Sequence, residues 1–119
     1  MAKPLFDPAR FTILDGGMGT MLQQAGLAPG ERPELAALTM PEVLTGIHCA
    51  YVEARADVIC TNTFGANPKK PEGTGYSTAA VDEAAVRPAR NAAGGTHAPV
   101  APVVGPPGQF LQSGGSLSF

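Results

Sequence analysis

Three short apolar runs, each closed by a turn and separated by stretches of helical spacing, restrict this chain more than any other feature. The first is Phe11-Thr12-Ile13-Leu14, ended by Asp15-Gly16-Gly17. The second is Asp57-Val58-Ile59-Cys60-Thr61, followed by the polar stretch Asn62-Thr63-Phe64-Gly65-Ala66-Asn67. The third covers residues 98–104 and is closed by Gly105-Pro106-Pro107-Gly108. Short runs with β-branched residues and turn signals at their ends predict buried strands. Pro99 and Pro102 inside the third predict an edge or distorted strand.

Helical spacing fills the gaps. Residues 18–25 are helix formers ending at Gly26, which suits a C-cap. Residues 28–38 contain Pro29-Gly30 and Pro33 and read mostly as loop. Thr39-Met40-Pro41-Glu42 has the form of a capping box. After it, Val43, Ile47, Ala50, Tyr51 and Ala54 recur on one helical face. Residues 78–93 form a weaker helical pattern ended by Gly94-Gly95. Pro88 lies inside it and is expected to kink or break the helix at a cost of ~3 kcal/mol. The order strand, helix, strand, helix, strand implies right-handed β-α-β units and a parallel sheet.

Composition narrows the function classes. The net charge is −2, and Lys and Arg are scattered, so neither nucleic acid nor an anionic membrane surface is an expected partner. No apolar stretch approaches the ~20 residues of a membrane span. The two cysteines, Cys49 and Cys60, form no C-x-x-C pair, so a disulfide framework and a zinc knuckle are not expected. A cytoplasmic protein with reduced thiols is the expectation. Of the 15 Gly and 12 Pro, 11 fall in residues 1–64 and 16 in residues 65–119. The second half is therefore the harder to fold from local signals.

Ligands of parallel α/β folds bind beyond the carboxyl ends of the strands. The turns after the three runs are expected on one rim. Asp15 suits an ammonium group, and the Gly16 and Gly17 amides suit a carboxylate. The same residues equally suit a tight turn with Asp15 capping the next helix, and spacing alone does not choose. Gly17-Met18-Gly19 begins a dinucleotide fingerprint, but Leu22 stands at its third glycine. His48 reads as a packing or surface histidine, His97 as a loop residue, and Lys69-Lys70 as a solvated pair. Cys60 reads as a small buried hydrophobe, and Cys49 lacks the cationic neighbour of a nucleophile.

Taken together, several segments resemble the start of the homocysteine S-methyltransferase domain family, closest to its cobalamin-dependent branch. They are residues 13–20 (Ile-Leu-Asp-Gly-Gly-Met-Gly-Thr), 29–35 (Pro-Gly-Glu-Arg-Pro-Glu-Leu), Leu38-Thr39 with Pro41-Glu42-Val43, Ile47-His48 with Tyr51, and residues 57–59 with 61–67. Gly105-Pro106 with Gly108, and Leu117-Ser118-Phe119, fit in order. The resemblance implies an incomplete (β/α)8 TIM barrel, about the first three β-α units of a fold of ~250 residues. Residues 1–119 would be the N-terminal portion of the domain, with 1–10 an extension. The implied activity is methyl transfer to the thiol of homocysteine, giving methionine.

The implied substrate-binding residues are Asp15, Gly16 and Gly17, with Thr63, Phe64 and Asn67 nearby. The family cofactor is zinc on three cysteines, and the methyl donor is methylcobalamin in one branch. Neither Cys49 nor Cys60 matches a zinc position, so no catalytic or metal residue carries over and the isolated chain is expected to be inactive. Implied partners are homocysteine, the missing barrel segment, and a downstream cobalamin domain. The alternatives are a non-catalytic amino-acid- or phosphate-binding fragment and an interaction fragment that needs the rest of the barrel. Arg55 stands where the family has a helix-ending glycine, and Pro71, Pro88 and Pro102 replace residues suited to a helix or strand. A truncated or degraded copy, prone to aggregation or partial disorder, is the resulting expectation.

Overall fold

The computed structural model describes residues 6–67, 75–96, 98–106 and 114–115. Lys69-Lys70, Pro71, His97, Pro107-Gly108 and Leu117-Ser118-Phe119 lie outside them. Four α-helices are described: α1 (Gly19–Gln24), α2 (Ala36–Thr39), α3 (Pro41–Glu53) and α4 (Thr78–Ala93). A 3-10 turn, Pro33–Leu35, precedes α2. Two strands, β1 (Ile59–Cys60) and β2 (Val100–Ala101), complete the set.

The sheet is parallel, as the alternation of elements predicts. Ile59 pairs with Val100 and Cys60 with Ala101. Leu14 joins the other side of the second segment through a parallel bridge to Val58. The spatial order is thus first run, second run, third run. β2 is only two residues long because Pro99 and Pro102 flank it and neither has an N–H to donate. Their neighbours still contribute: the Ile59 amide donates to the Pro99 carbonyl at 3.0 Å and the Thr61 amide to Ala101 at 2.9 Å.

The first run departs from expectation. It is not a buried strand: Phe11 is 94% exposed, Ile13 61% and Leu14 54%. A strand reading as a continuous apolar block needs cover on both faces. Here α3 packs on β1, and α4 packs on both strands. The first run is held instead through its backbone. The Asp57 amide donates to the Ile13 carbonyl at 2.7 Å and the Asp15 amide to Val58 at 3.1 Å. The Asp57 carboxylate accepts from the Ile13 amide and pairs with Arg10.

The helices form the core layer. Leu22, Leu27, Ala36, Ala37, Leu44, Ile47 and Ala85 make one buried cluster. On α3 the buried face is Leu44, Ile47 and His48, with Tyr51 half-buried, while Ala50 and Ala54 are exposed. The expected face was therefore rotated by about one position. Thr39 does not cap α3. It is the last residue of α2, its hydroxyl bonds back to Leu35, and Met40 stands at the N-cap without a side-chain bond. The segment expected as loop is the cause, because Pro33–Leu35 and α2 extend helical turns up to that point.

α4 is capped by Ser77, whose hydroxyl accepts from the Ala80 amide. It continues through Pro88 rather than breaking there. Val81, Ala85, Ala89, Ala92 and Ala93 are buried on both sides of the proline, as is Pro88 itself. Packing of that stripe offsets the ~3 kcal/mol that an interior proline costs.

Two helix ends share one geometry and differ in residue. After α1 the Leu27 amide donates to Leu22 and the Gly26 amide to Gln23; after α3 the Ala56 amide donates to Tyr51 and the Arg55 amide to Val52. Both are Schellman motifs, which place a left-handed residue just past the helix. Gly26 fills that position at φ 114° and Arg55 at φ 72°. The second end carries the steric cost that a Cβ meets there.

Candidate functional site

The first turn meets the second at the carboxyl end of β1, and Gly105-Pro106 lie against the second. Asp15 follows the first run, and its Oδ2 accepts from the Cys60 amide at 3.0 Å. It does not cap α1, whose N-cap position is Met18 and has no side-chain bond. Gly16 and Gly17 are exposed on the turn. Tyr51 of α3 supports them from beneath: its hydroxyl donates to the Gly17 carbonyl at 2.6 Å.

The second turn carries several side-chain bonds. Thr61, Asn62 and Thr63 are all buried. The Thr63 hydroxyl donates to the Val103 carbonyl at 2.7 Å and accepts from the Val103 amide at 3.2 Å. With that proton committed, the Thr61 hydroxyl is the donor in the 2.8 Å contact between the two threonines. Asn62 donates to the Pro33 carbonyl at 2.6 Å, and Asn67 reaches the Pro106 carbonyl at 3.1 Å. Phe64 presents an exposed ring. Its carbonyl lies against Gly105, where an added Cβ would collide with it.

Arg32 and Glu34 complete this turn; the sequence marked them only within the 29–35 segment of the family resemblance and gave them no role. Glu34 is buried and pairs with Arg32 at 2.8 Å. A second Arg32 nitrogen donates to the Gly65 carbonyl at 3.2 Å. The Glu34 carboxylate occupies the space where a Cβ on residue 65 would go.

Two ionisable groups beneath Asp15 are perturbed. Burial, reinforced by the Asp15 carboxylate, pushes the Cys60 thiol up to about 11. Cys60 is thus half-buried, with its backbone amide bonded to the Asp15 carboxylate, rather than a buried hydrophobe. His48 is fully buried, and among the described residues neither ring nitrogen has a hydrogen-bond partner. Burial lowers its pKa, and the Asp15 charge opposes that shift. The imidazole is therefore neutral near pH 7.

The structure brings Asp15 to the root of the second turn and ties Thr63 and Asn67 to the third segment. Gly16 and Gly17 are held by α3. Among the described residues, no group of three or more His, Cys, Asp or Glu side chains is placed to hold a metal ion. No single described helix is long and apolar enough to cross a membrane.

A parallel pair of strands backed by helices defines the class: a mixed α/β chain with described turns at its strand ends. The profile of the homocysteine S-methyltransferase family matches residues 12–119, and the chain belongs to that family. It is 44% identical over 64 residues to a methionine synthase of Mycobacterium leprae (strain TN), a match covering 49% of this chain and 5% of the relative. It also resembles the homocysteine methyltransferase MmuM of Escherichia coli, solved in its metallated form. There the TM-score is 0.71 at 26% identity, over 82% of this chain and 39% of that one. The chain therefore spans well under half the length of the relatives it matches.

Proposed function

We propose that this chain is the N-terminal portion of a homocysteine methyl-transfer barrel and carries its amino-acid grip. In this reading Asp15 takes the substrate ammonium group and the Gly16 and Gly17 amides take its carboxylate. Thr63, Phe64 and Asn67 line the adjoining wall. The observation that carries the reading is Asp15: its carboxylate is fixed at the rim by the Cys60 amide, beside two exposed glycines. Family membership over residues 12–119 supports the substrate class. The reaction joins the homocysteine sulfur to a methyl carbon as that carbon leaves its donor, with loss of the thiol proton. Methylcobalamin is the donor suggested by the methionine synthase relative.

Zinc supplies thiol activation in the family. Among the described residues of this chain the donor set does not fit a zinc ion. The chain on its own binds without transferring, and the free thiols Cys49 and Cys60 suit a cytoplasmic setting. Calorimetric titration with L-homocysteine and with its desamino analogue tests the grip. Saturable binding of the first and not of the second is expected. Equal binding of both removes Asp15 from its proposed role.

A second reading is favoured by the exposed Phe11, Ile13 and Leu14. The chain is then an interaction fragment whose apolar edge is covered by further barrel segments. Mixing it with a chain supplying the later strands of a relative is expected to protect Phe11 from solvent. Unchanged exposure on mixing counts against this reading.

A further inference from the structure

We propose that Tyr51 is a positioning residue of the grip, fixing the peptide that joins Gly17 to Met18 and filling the space beside Gly16. The ligand in this proposal rests on the homocysteine reading; the positioning rests on geometry alone. The Tyr51 hydroxyl donates to the Gly17 carbonyl at 2.6 Å. Its ring stands so near Gly16 that a Cβ there would lie 3.0 Å from both the Cε1 carbon and the hydroxyl oxygen. Glycines explore φ/ψ space widely, and two in succession make a loose turn unless something external holds them. Tyr51 restrains both.

The consequence is directional. Among the described residues no peptide bond is cis, and a trans peptide keeps its C=O and N–H on opposite sides. With the Gly17 carbonyl drawn down to Tyr51, the N–H of the same peptide, on Met18, faces away from α3. Asp15 is anchored separately, through the Cys60 amide. The grip is thus held from β1 at one end and from α3 at the other. Tyr51 touches no reacting atom in this arrangement. It fixes the direction of the Met18 N–H and limits the freedom of the adjoining Gly16 and Gly17 before a ligand arrives, which lowers the ordering cost of binding.

The test is 15N relaxation on the full chain and on Tyr51→Phe, followed by titration with L-homocysteine. Phenylalanine keeps the ring against Gly16 and removes only the hydroxyl. In the variant, the amide order parameters of Gly16 and Gly17 are expected to fall from about 0.85 to below about 0.6. Those of α3 and α4 are expected to hold, and affinity for L-homocysteine to drop about tenfold. Gly16→Ala, which presses a methyl onto the ring, is expected to give the same two losses from the other side of the contact. Unchanged order parameters at Gly16 and Gly17 in Tyr51→Phe overturn the proposal, as does a loss of order spread evenly over the chain. If the unmodified chain does not bind L-homocysteine, the ligand reading fails, and the order parameters still decide the role of Tyr51.

Discussion

The second turn and the first apolar run are both recognisable in the sequence, yet they end up in opposite physical states. Residues 61–63 are buried and bonded on several sides, to Pro33 and to Val103. Residues 11, 13 and 14 expose most of their apolar surface and are held by backbone bonds and one carboxylate. The difference lies in what packs nearby. The second turn has the Arg32–Glu34 pair on one side and the third segment on the other. The first run's side chains stay exposed, while α3 and α4 pack on β1 and α4 on β2. Polar residues with complete partners are rigid, and apolar residues without cover are not stabilising wherever the pattern places them.

The largest expected break in that contrast is at Gly105. Gly105→Ala drives a methyl into the Phe64 carbonyl, which is backbone and has no rotamer to yield. Denaturant unfolding is expected to show a loss of about 3 kcal/mol. Gly17→Ala, where an added Cβ meets nothing within 4 Å, is expected to change stability by less than about 0.5 kcal/mol. Similar losses at both positions would mean that the second turn is no tighter than the first.

His48 sharpens the comparison from below. Its pKa is lowered by burial from its ordinary 6.5, so the unfolded chain binds more protons in the interval beneath that value. This contribution to stability is complete above the unfolded pKa and is lost as pH falls through the interval towards the folded value. His48→Leu removes the unpaired nitrogens and is expected to flatten that part of the profile while stabilising the chain by about 1 kcal/mol at neutral pH. An unchanged profile in the variant would show that His48 is hydrated or paired in solution.

A gain of about 1 kcal/mol is expected from Arg55→Gly, read from the thermal midpoint, because φ 72° is costly for a residue with a Cβ. The smallest effect is expected at Phe11, 94% exposed. Phe11→Ser is expected to leave stability within about 0.5 kcal/mol while reducing aggregation, measured by light scattering. A large loss of stability there would mean that the first run is covered after all.

Much of this arrangement was legible in the residues. The parallel order followed from the alternation of apolar runs and helical spacing, and the first two turns followed from their Gly and Asn content. The Gly26 helix end was marked by residue type, and Arg55 was marked by the family resemblance, which has a glycine there. What stayed hidden depended on partners distant in sequence. Nothing near Tyr51 says that its hydroxyl will meet Gly17, 34 positions earlier. Nothing near Glu34 says that Gly65 will leave room for its carboxylate. The Thr39 capping box had the right letters, but the helical turn before it claimed the same hydroxyl. Pro88 was a true local penalty, overridden by burial along the rest of its helix.

The central claim is that an amino-acid ligand is gripped at the carboxyl-end rim. Amide chemical shifts followed during a titration with L-homocysteine test it most directly. The account predicts saturable shifts at Gly16, Gly17 and Thr63 that disappear in Asp15→Asn. Shifts confined to the groove of about 470 Å³ between α3 and α4, lined by Glu42, Thr45, Glu83 and Arg87, would contradict it. So would titration that leaves Asp15→Asn and the unmodified chain indistinguishable.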